Sequence, residues 1–505
     1  MGIRMTGLVS GMDTEGMVQE LVKASSSKVD KVKKEKQLLE WKKESWQDLN
    51  TKLYNFYKTE LSAFKTNSSY KTKKATVNDE TKASITASGS ASNGTHTVSV
   101  KQLASSAYLT GANIKNTAGV DVTGGTKLTD LGVAVGTAFA INGKEFVVDE
   151  ETTLSGLASG LSKLGVSANF DANQGRFYLN ANGTGAAHDF TLTSTDENAL
   201  KVLGLDKDSA VKIDAQDAII EYNGVEYKNS ENTFNINGLS ITAKGVTGIY
   251  DKETGTFTGD TPLSITVAQD TDSMYDTIKT FVKKYNELID EMNKLYDEKK
   301  TSYEPLTEEE RSQLSEKQIE QWEEKAKQGL LRRDSTISSL LSNMRGILNK
   351  GIEVTNDDGT TSTYTLASLG IVTGDYSEKG KLHILGDEDD PQYATQTNKL
   401  KEMLASKPEV FSQVLGGTKD APGIGYQLYD HLNKAMGSTT NSSALTFYDD
   451  KLMNKDIEDM DEEIDKWADK LQDLEDKYYD QFAAMESAMA KLQSQQSYIS
   501  SLMGM

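Results

Sequence analysis

The chain has 505 residues, 40 glycines, five prolines and no cysteine, and 55 Lys and Arg against 76 Asp and Glu give a net charge of −21. At about 150 residues per domain this suggests roughly three domains, and with 36% hydrophobic and 26% charged residues the chain can bury cores. Collagen, membrane bundle and disulfide scaffold are excluded, and the acidic balance argues against a nucleic-acid or membrane-surface binder, since phosphate neutralisation needs clustered cations. Without cysteine there is no thiolate metal site and no cysteine nucleophile. No apolar run reaches about 18 residues, so no membrane insertion is expected. The stretch Met1 to Ser10 lacks an apolar signal core, so export would proceed without a Sec-type signal peptide.

The first periodic segment opens at Asp13, an N-cap, with Glu15 placed for the helix dipole and Met12 and Met17 placed as a hydrophobic staple. From Val18, the residues Val32, Leu39, Trp46 and Leu53 fall at multiples of seven. Val22, Val29, Leu49, Phe56 and Phe64 follow seam positions by three or four. The spacing predicts one or two long helices from Asp13 to about Asn67, on a seam interrupted by Ser25 and Lys36.

Beyond residue 90 the period switches to two. Thr97 to Val100 alternates, and Asn142-Gly143, Asn223-Gly224 and Asn237-Gly238 each join two short apolar or aromatic runs. These are three predicted β-hairpins in an antiparallel block, with a short helix over Leu154 to Leu164. After the strand Leu263 to Val267, helical spacing returns at Met274, Ile278, Phe281, Tyr285, Leu288, Ile289, Met292 and Leu295, with Asp272 or Ser273 as cap. Pro305 is expected to open a helix whose face includes Leu314, Ile319 and Trp322. Helices are expected at Ile337 to Leu348 and Thr397 to Leu404, around a β interruption from Tyr364 to Ile384.

The last segment is the most regular. Met453, Ile457, Met460, Ile464, Trp467, Leu471, Leu474 and Tyr478 alternate steps of four and three, and after an extra residue the rhythm resumes from Phe482 through Met503. The unit Leu471 to Phe482 is a stutter that relaxes a left-handed supercoil. Residues 23–74 carry 14 Lys against six Asp and Glu, a balance of +8, while residues 449–480 carry five Lys against 14 Asp and Glu, a balance of −9. Opposite charge blocks at the two chain ends predict that the terminal helices pair with each other, although each run could also be a solvated face.

Nothing in the chain makes a catalytic or cofactor constellation. His96, His188, His383 and His431 are far apart in sequence, and the loop from Gly374 to Lys381 encloses the wrong number of residues and places Leu382 where a phosphate loop needs Ser or Thr. The run from Asp171 departs from a calcium loop at Gly175, Arg176 and Asn182, and reads as a hairpin turn. Asp387 to Asp390 reads as a solvated loop. No cofactor, no metal and no enzymatic activity are expected.

Two motifs carry a resemblance. Ser10-Gly11-Met12-Asp13-Thr14, followed by Leu39-Glu40-Trp41-Lys42 and Leu49-Asn50-Thr51-Lys52-Leu53, and at the other end Phe482-Ala483-Ala484-Met485-Glu486 with Ala490-Lys491-Leu492-Gln493-Ser494-Gln495-Gln496-Ser497-Tyr498-Ile499, resemble the flagellar filament cap proteins, the hook-associated protein 2 (FliD) family. The resemblance covers the terminal helices and, in general style, Met274 to Leu348; the β block resembles the family only in being rich in hairpins.

It implies an α+β multidomain fold; composition shifts along the chain set the expected bounds, with residues 1–75 and 440–505 as a terminal coiled-coil domain, 76–108 and 270–439 as a mixed helical/β leg, and 109–210 and 211–269 as two inserted β-rich heads. It further implies a secreted cap at the distal tip of the flagellum, a homo-oligomeric ring of five or six copies that retains flagellin and promotes its polymerisation. The implied partners are flagellin, the filament and hook-junction proteins and a cytoplasmic export chaperone, with surface or host ligands as a further possibility for the heads. The residues expected at filament and oligomer contacts are Ser10, Gly11, Met12, Asp13, Trp46, Leu53, Ile464, Trp467, Leu471, Phe482, Gln495 and Gln496. A surface adhesin on a coiled-coil stalk and a cytoplasmic coiled-coil scaffold stay open as alternatives.

Overall fold

The computed structural model describes residues 11, 13–115, 119, 121–355 and 359–502. The chain has an α+β multidomain fold made of two compact units. One contains the chain up to Tyr70 and from Thr271 onward; the other contains Lys71–Asp270.

The helical unit is built on two long helices, Thr14–Lys58 and Asp450–Leu502. Asp13 starts the first, its Oδ1 accepting the Gly16 N–H at 2.9 Å, which satisfies one of the donors a helix leaves open at its N-terminus. Trp46, Leu49, Leu53 and Phe56 are buried, as are Leu61 and Phe64 of the next helical turn. Against them lies Thr271–Asp297, an amphipathic helix whose Met274, Ile278, Phe281, Tyr285, Leu288, Ile289 and Met292 are buried at helical spacing. Phe64 stacks on Phe281 with ring centroids 3.7 Å apart. Ser335–Leu348, Ile424–Ala435 and Lys399–Ser406 close the same core.

Pro305 does not open a helix. Two short helices, Glu308–Ser312 and Glu316–Ala326, start instead after Thr307, whose Oγ1 accepts the Glu310 N–H at 3.2 Å, and after Ser315, whose N–H is accepted by Gln318 Oε1 at 3.0 Å. The helix expected from a cap at Asp272 or Ser273 begins earlier, at Thr271. The acidic run expected to be solvated is partly built in: Asp387 is buried and its carboxylate takes the Lys279 ammonium at 2.5 Å. His383, also buried, sits between Asp390 at 2.5 Å and Glu378 at 3.2 Å.

The β unit holds two cores. Around Phe139, Leu157, Phe177 and Leu179 lie a sheet ordered Val211–Ile213, Tyr108–Thr110, Arg176–Ala181, Val166–Asp171, a sheet ordered Lys144–Val147, Ala138–Ile141, Leu192–Ser194, and the helix Leu154–Ser162. Around Val98, Val100, Ile220, Ile241 and Ile265 lie the sheet Lys73–Val77, Leu263–Gln269, Gly94–Gln102, Ala218–Tyr222, Val225–Asn229 and the sheet Thr233–Ile236, Leu239–Ala243, Ala83–Ala87. The segment 76–108, grouped by sequence with 270–439, thus differs from that expectation: its strands are hydrogen-bonded to Ala218–Tyr222, Leu239–Ala243 and Leu263–Gln269 inside the β unit. A strand cannot leave its edges open in a core, and its partners here are more than 100 residues away in sequence, beyond what local periodicity can indicate.

The three Asn-Gly turns are real. Asn142, Asn223 and Asn237 have φ of 47°, 49° and 49°, each followed by a glycine at positive φ, the conformation of a two-residue type I′ hairpin. The run from Asp171 is the turn between two paired strands, with Asp171 opposite Arg176.

Candidate assembly surface

The two terminal helices run antiparallel in one pair. The register is given by three cross-contacts: Trp46 stacked on Tyr448 at 5.5 Å, Lys36 paired with Asp461 at 2.5 Å, and the Lys28 ammonium 5.0 Å from the Trp467 ring centroid. The hydrogen bond to Asp461 is the main reason the Lys36 ammonium titrates above its ordinary range. Where the pair begins, Asn50 holds the incoming chain: its Oδ1 accepts the Phe447 N–H at 2.9 Å and its Nδ2 donates to the Leu445 carbonyl at 3.3 Å. The C-terminal helix is unbroken through the stutter from Leu471 to Phe482.

In this register the first turn of the N-terminal helix falls opposite about residue 481, so Phe482 to Leu502 extends past it by about 30 Å at 1.5 Å per residue. That extension carries exposed apolar groups, with Leu492 at 63%, Tyr498 at 66% and Ile499 at 55%, and Met17 and Leu21 are exposed on the N-terminal helix. A large apolar side chain left in water forfeits roughly 1.5–3 kcal/mol that burial would supply. Leu492 and Ile499 stand one heptad apart on the same face, a surface suited to be covered.

The residues singled out from sequence separate into groups. Ser10 and Met12 lie outside the described residues. Gly11 is exposed at φ +68°, and Asp13 is the cap of the first helix. Trp46 and Leu53 belong to the chain's own core, where they are closed off from any partner. Trp467 lies under Lys28, Ile464 lines a cleft beside Lys36, Leu471 and Phe482 are half-buried, and Gln495 and Gln496 are exposed.

The expected charge match between the helices is largely absent. Among the described residues, Lys36 to Asp461 is the ion pair that joins them. Four other lysines of the N-terminal helix pair elsewhere: Lys23 to Glu309 at 2.9 Å, Lys34 to Glu310 at 3.2 Å and Glu304 at 4.0 Å, Lys42 to Asp334 at 3.8 Å, and Lys52 to Glu291 at 2.8 Å. Net charge has sign but no address, so the acidic run at 308–310 was an equally good counterpart in sequence. Asn50 stands in one of the motifs that carry the resemblance, but neither it nor Tyr448 carried a sequence signal for this contact.

Among the described residues no helix is long and apolar enough to cross a membrane. Two family profiles match: flagellar hook-associated protein 2 N-terminus over residues 10–107 and flagellar hook-associated protein 2 C-terminus over residues 215–494. The flagellar hook-associated protein 2 of Halalkalibacterium halodurans is 26% identical, with 98% of each chain covered, and that of Escherichia coli K12 is 24% identical, with 98% of this chain and 97% of the other covered. The fold is similar to the crystal structure of the D1-D2-D3 domains of the E. coli flagellar cap protein FliD, with a TM-score of 0.56 at 21% identity over 82% of this chain and 99% of that one. With the C-terminal profile alone spanning more than half of its length, the chain belongs to the flagellar hook-associated protein 2 family.

Proposed function

We propose that this chain is the filament cap of a bacterial flagellum, a structural protein at the distal tip that retains exported flagellin and promotes its polymerisation. The observation that carries the reading is the pair of terminal helices with an apolar stripe left exposed along the C-terminal extension, in a chain whose two ends match this family. A cap must hold a growing filament and still let each new subunit insert, so its grip has to be breakable and remade. A partly polar seam suits that better than an all-leucine coiled coil.

Within this reading, copies form a ring of five or six around the filament axis, the β-rich unit of residues 71–270 serves as the head region, and residues 10–13 and 464–496 take part in the filament contact. Export proceeds through the flagellar apparatus without a Sec signal, with a cytoplasmic chaperone shielding the apolar ends. A chain without disulfides suits passage in an unfolded state.

The test is genetic. Deleting the coding sequence should abolish filament growth and release monomeric flagellin into the medium, and restoring the chain should reverse both. Normal filaments in the deletion strain would end the reading.

A further inference from the structure

Between the helices Thr271–Asp297 and Ser335–Leu348 the chain makes an excursion, residues 298–334, which lies along the N-terminal helix like a strap. Its contacts are charged. Glu309 takes Lys23, Glu310 and Glu304 take Lys34, Asp334 takes Lys42, and Lys327 lies 3.6 Å from Glu44 and 5.2 Å from the Trp41 ring centroid. From Lys23 to Glu44 this follows the helix for about 32 Å. Its two helices bring little apolar packing, since Glu308–Ser312 buries no residue and Glu316–Ala326 buries Ala326 alone; the strap's other buried apolar side chains are Pro305 and Leu331. The Lys23–Glu309 side chains are 56% and 62% exposed, and pairs as wet as this hold weakly and are screened by salt.

The strap does not close onto the C-terminal helix. A cleft of about 730 Å³ remains, lined by Lys33, Lys34 and Lys36 on the N-terminal helix, by Glu308 and Glu309 on the strap, and by Ile464 on the C-terminal helix. Because the strap takes Lys23 and Lys34, Lys36 to Asp461 is, among the described residues, the ion pair left between the acidic stretch of the C-terminal helix and the N-terminal helix. Asp459, Glu462, Asp465, Asp469 and Asp473 stay exposed.

We propose that the lysine face Lys23–Lys36 is a docking surface for the acidic stretch 459–473 of a second copy of this chain, and that the acidic strap occupies that face in the free subunit. The occupant follows from charge. The strap and the C-terminal stretch both set glutamates and aspartates beside one aliphatic side chain, Leu306 in the one and Ile464 in the other, so either can neutralise the same lysines. The strap is the weaker holder along the lysine face, since its two helices bury Ala326 alone, and a second copy that adds apolar contacts displaces it. Free subunits are thereby kept from pairing early, and the strap yields when copies are gathered together. The inference rests on the ring-forming reading above.

Sedimentation velocity of the full-length chain over a range of concentrations tests it. The triple variant E304Q/E309Q/E310Q keeps strap size and hydrogen bonding while removing the three carboxylate charges that hold Lys23 and Lys34. It should self-associate at about tenfold lower concentration than wild type, the equivalent of two or three surface ion pairs. K33Q/K34Q/K36Q, which removes the docking face, should associate more weakly than wild type. Mixing K34C chains with D465C chains, in a protein otherwise free of cysteine, should give a disulfide-linked heterodimer. Wild type that assembles while the triple glutamine variant assembles equally or less well would overturn this inference and leave the cap reading standing. If wild type and the glutamine variant both stay monomeric at every concentration, this inference and the ring fall together.

Discussion

The indole of Trp46 and the phenol ring of Tyr448 stack with centroids 5.5 Å apart and planes 8° from parallel. These residues are some 400 apart in sequence, and their stack lies where the two ends of the chain come together. Next to it, Asn50 clamps the backbone at Leu445 and Phe447. The entry angle of the C-terminal helix is therefore set by one aromatic stack and one side-chain amide.

Trp46→Ala should remove that support. A large buried aromatic cut to alanine costs roughly 3–5 kcal/mol, so urea unfolding followed by far-UV circular dichroism should show the helical transition moved to lower denaturant. Asn50→Ala, which strands a backbone donor and acceptor, should cost about 1–3 kcal/mol. If both variants unfold at the wild-type midpoint, the stack and clamp do not set the helix pair.

The hairpin turns make a prediction with an internal control. At Gly224, φ is +81° and no neighbour lies within 4 Å of an added Cβ, whereas at Gly238, φ is +77° and the same atom would sit 2.7 Å from the Ala91 nitrogen. Gly224→Ala should cost only the left-handed strain, about 1–2 kcal/mol. Gly238→Ala should cost roughly 2–4 kcal/mol, because the clash is with backbone that cannot step aside. Chemical denaturation of the two variants decides, and equal losses would contradict the close approach at Ala91.

What could be read from sequence and what could not divides along the range of the interaction. Asn142-Gly143 and its two counterparts were legible because a type I′ turn needs particular residues at adjacent positions. The Met274 to Met292 face was legible because burial repeats at the helix period. Trp46 and Leu53 sit on a heptad too, but a heptad says only that something apolar covers them; here the cover is a globular core rather than a filament. The lysines of the N-terminal helix failed in the same way, since a positive block matched both the acidic strap and the acidic C-terminal run. The pairing of Ala83–Ala87 with Leu239–Ala243 joins strands too distant for any local pattern to announce.

The strap should also respond to acid. The Glu310 carboxyl is held below its ordinary range chiefly by the Thr307 backbone N–H, against an opposing contribution from burial and with help from Lys34. A carboxylate whose folded value is depressed adds stability above its unfolded value, near pH 4.3, and that stability is lost as pH falls through the folded value. Hydrogen exchange corrected for intrinsic rates should therefore show residues 307–326 losing protection between pH 5 and about 3, relative to the helix Thr271–Asp297. Protection of the strap that tracks that helix throughout would contradict the charge-held description.

The central claim is that the exposed apolar extension of the C-terminal helix is what the cap uses to hold its place. Leu492 and Ile499 are exposed, at 63% and 55%, so L492D/I499D should leave the fold and its thermal unfolding unchanged. The decisive measurement is filament length together with monomeric flagellin in the culture medium, in cells whose only copy of this chain carries both substitutions. The account predicts short or absent filaments and abundant free flagellin from a stable, exported variant. Filaments of normal length with no leaked flagellin would contradict it.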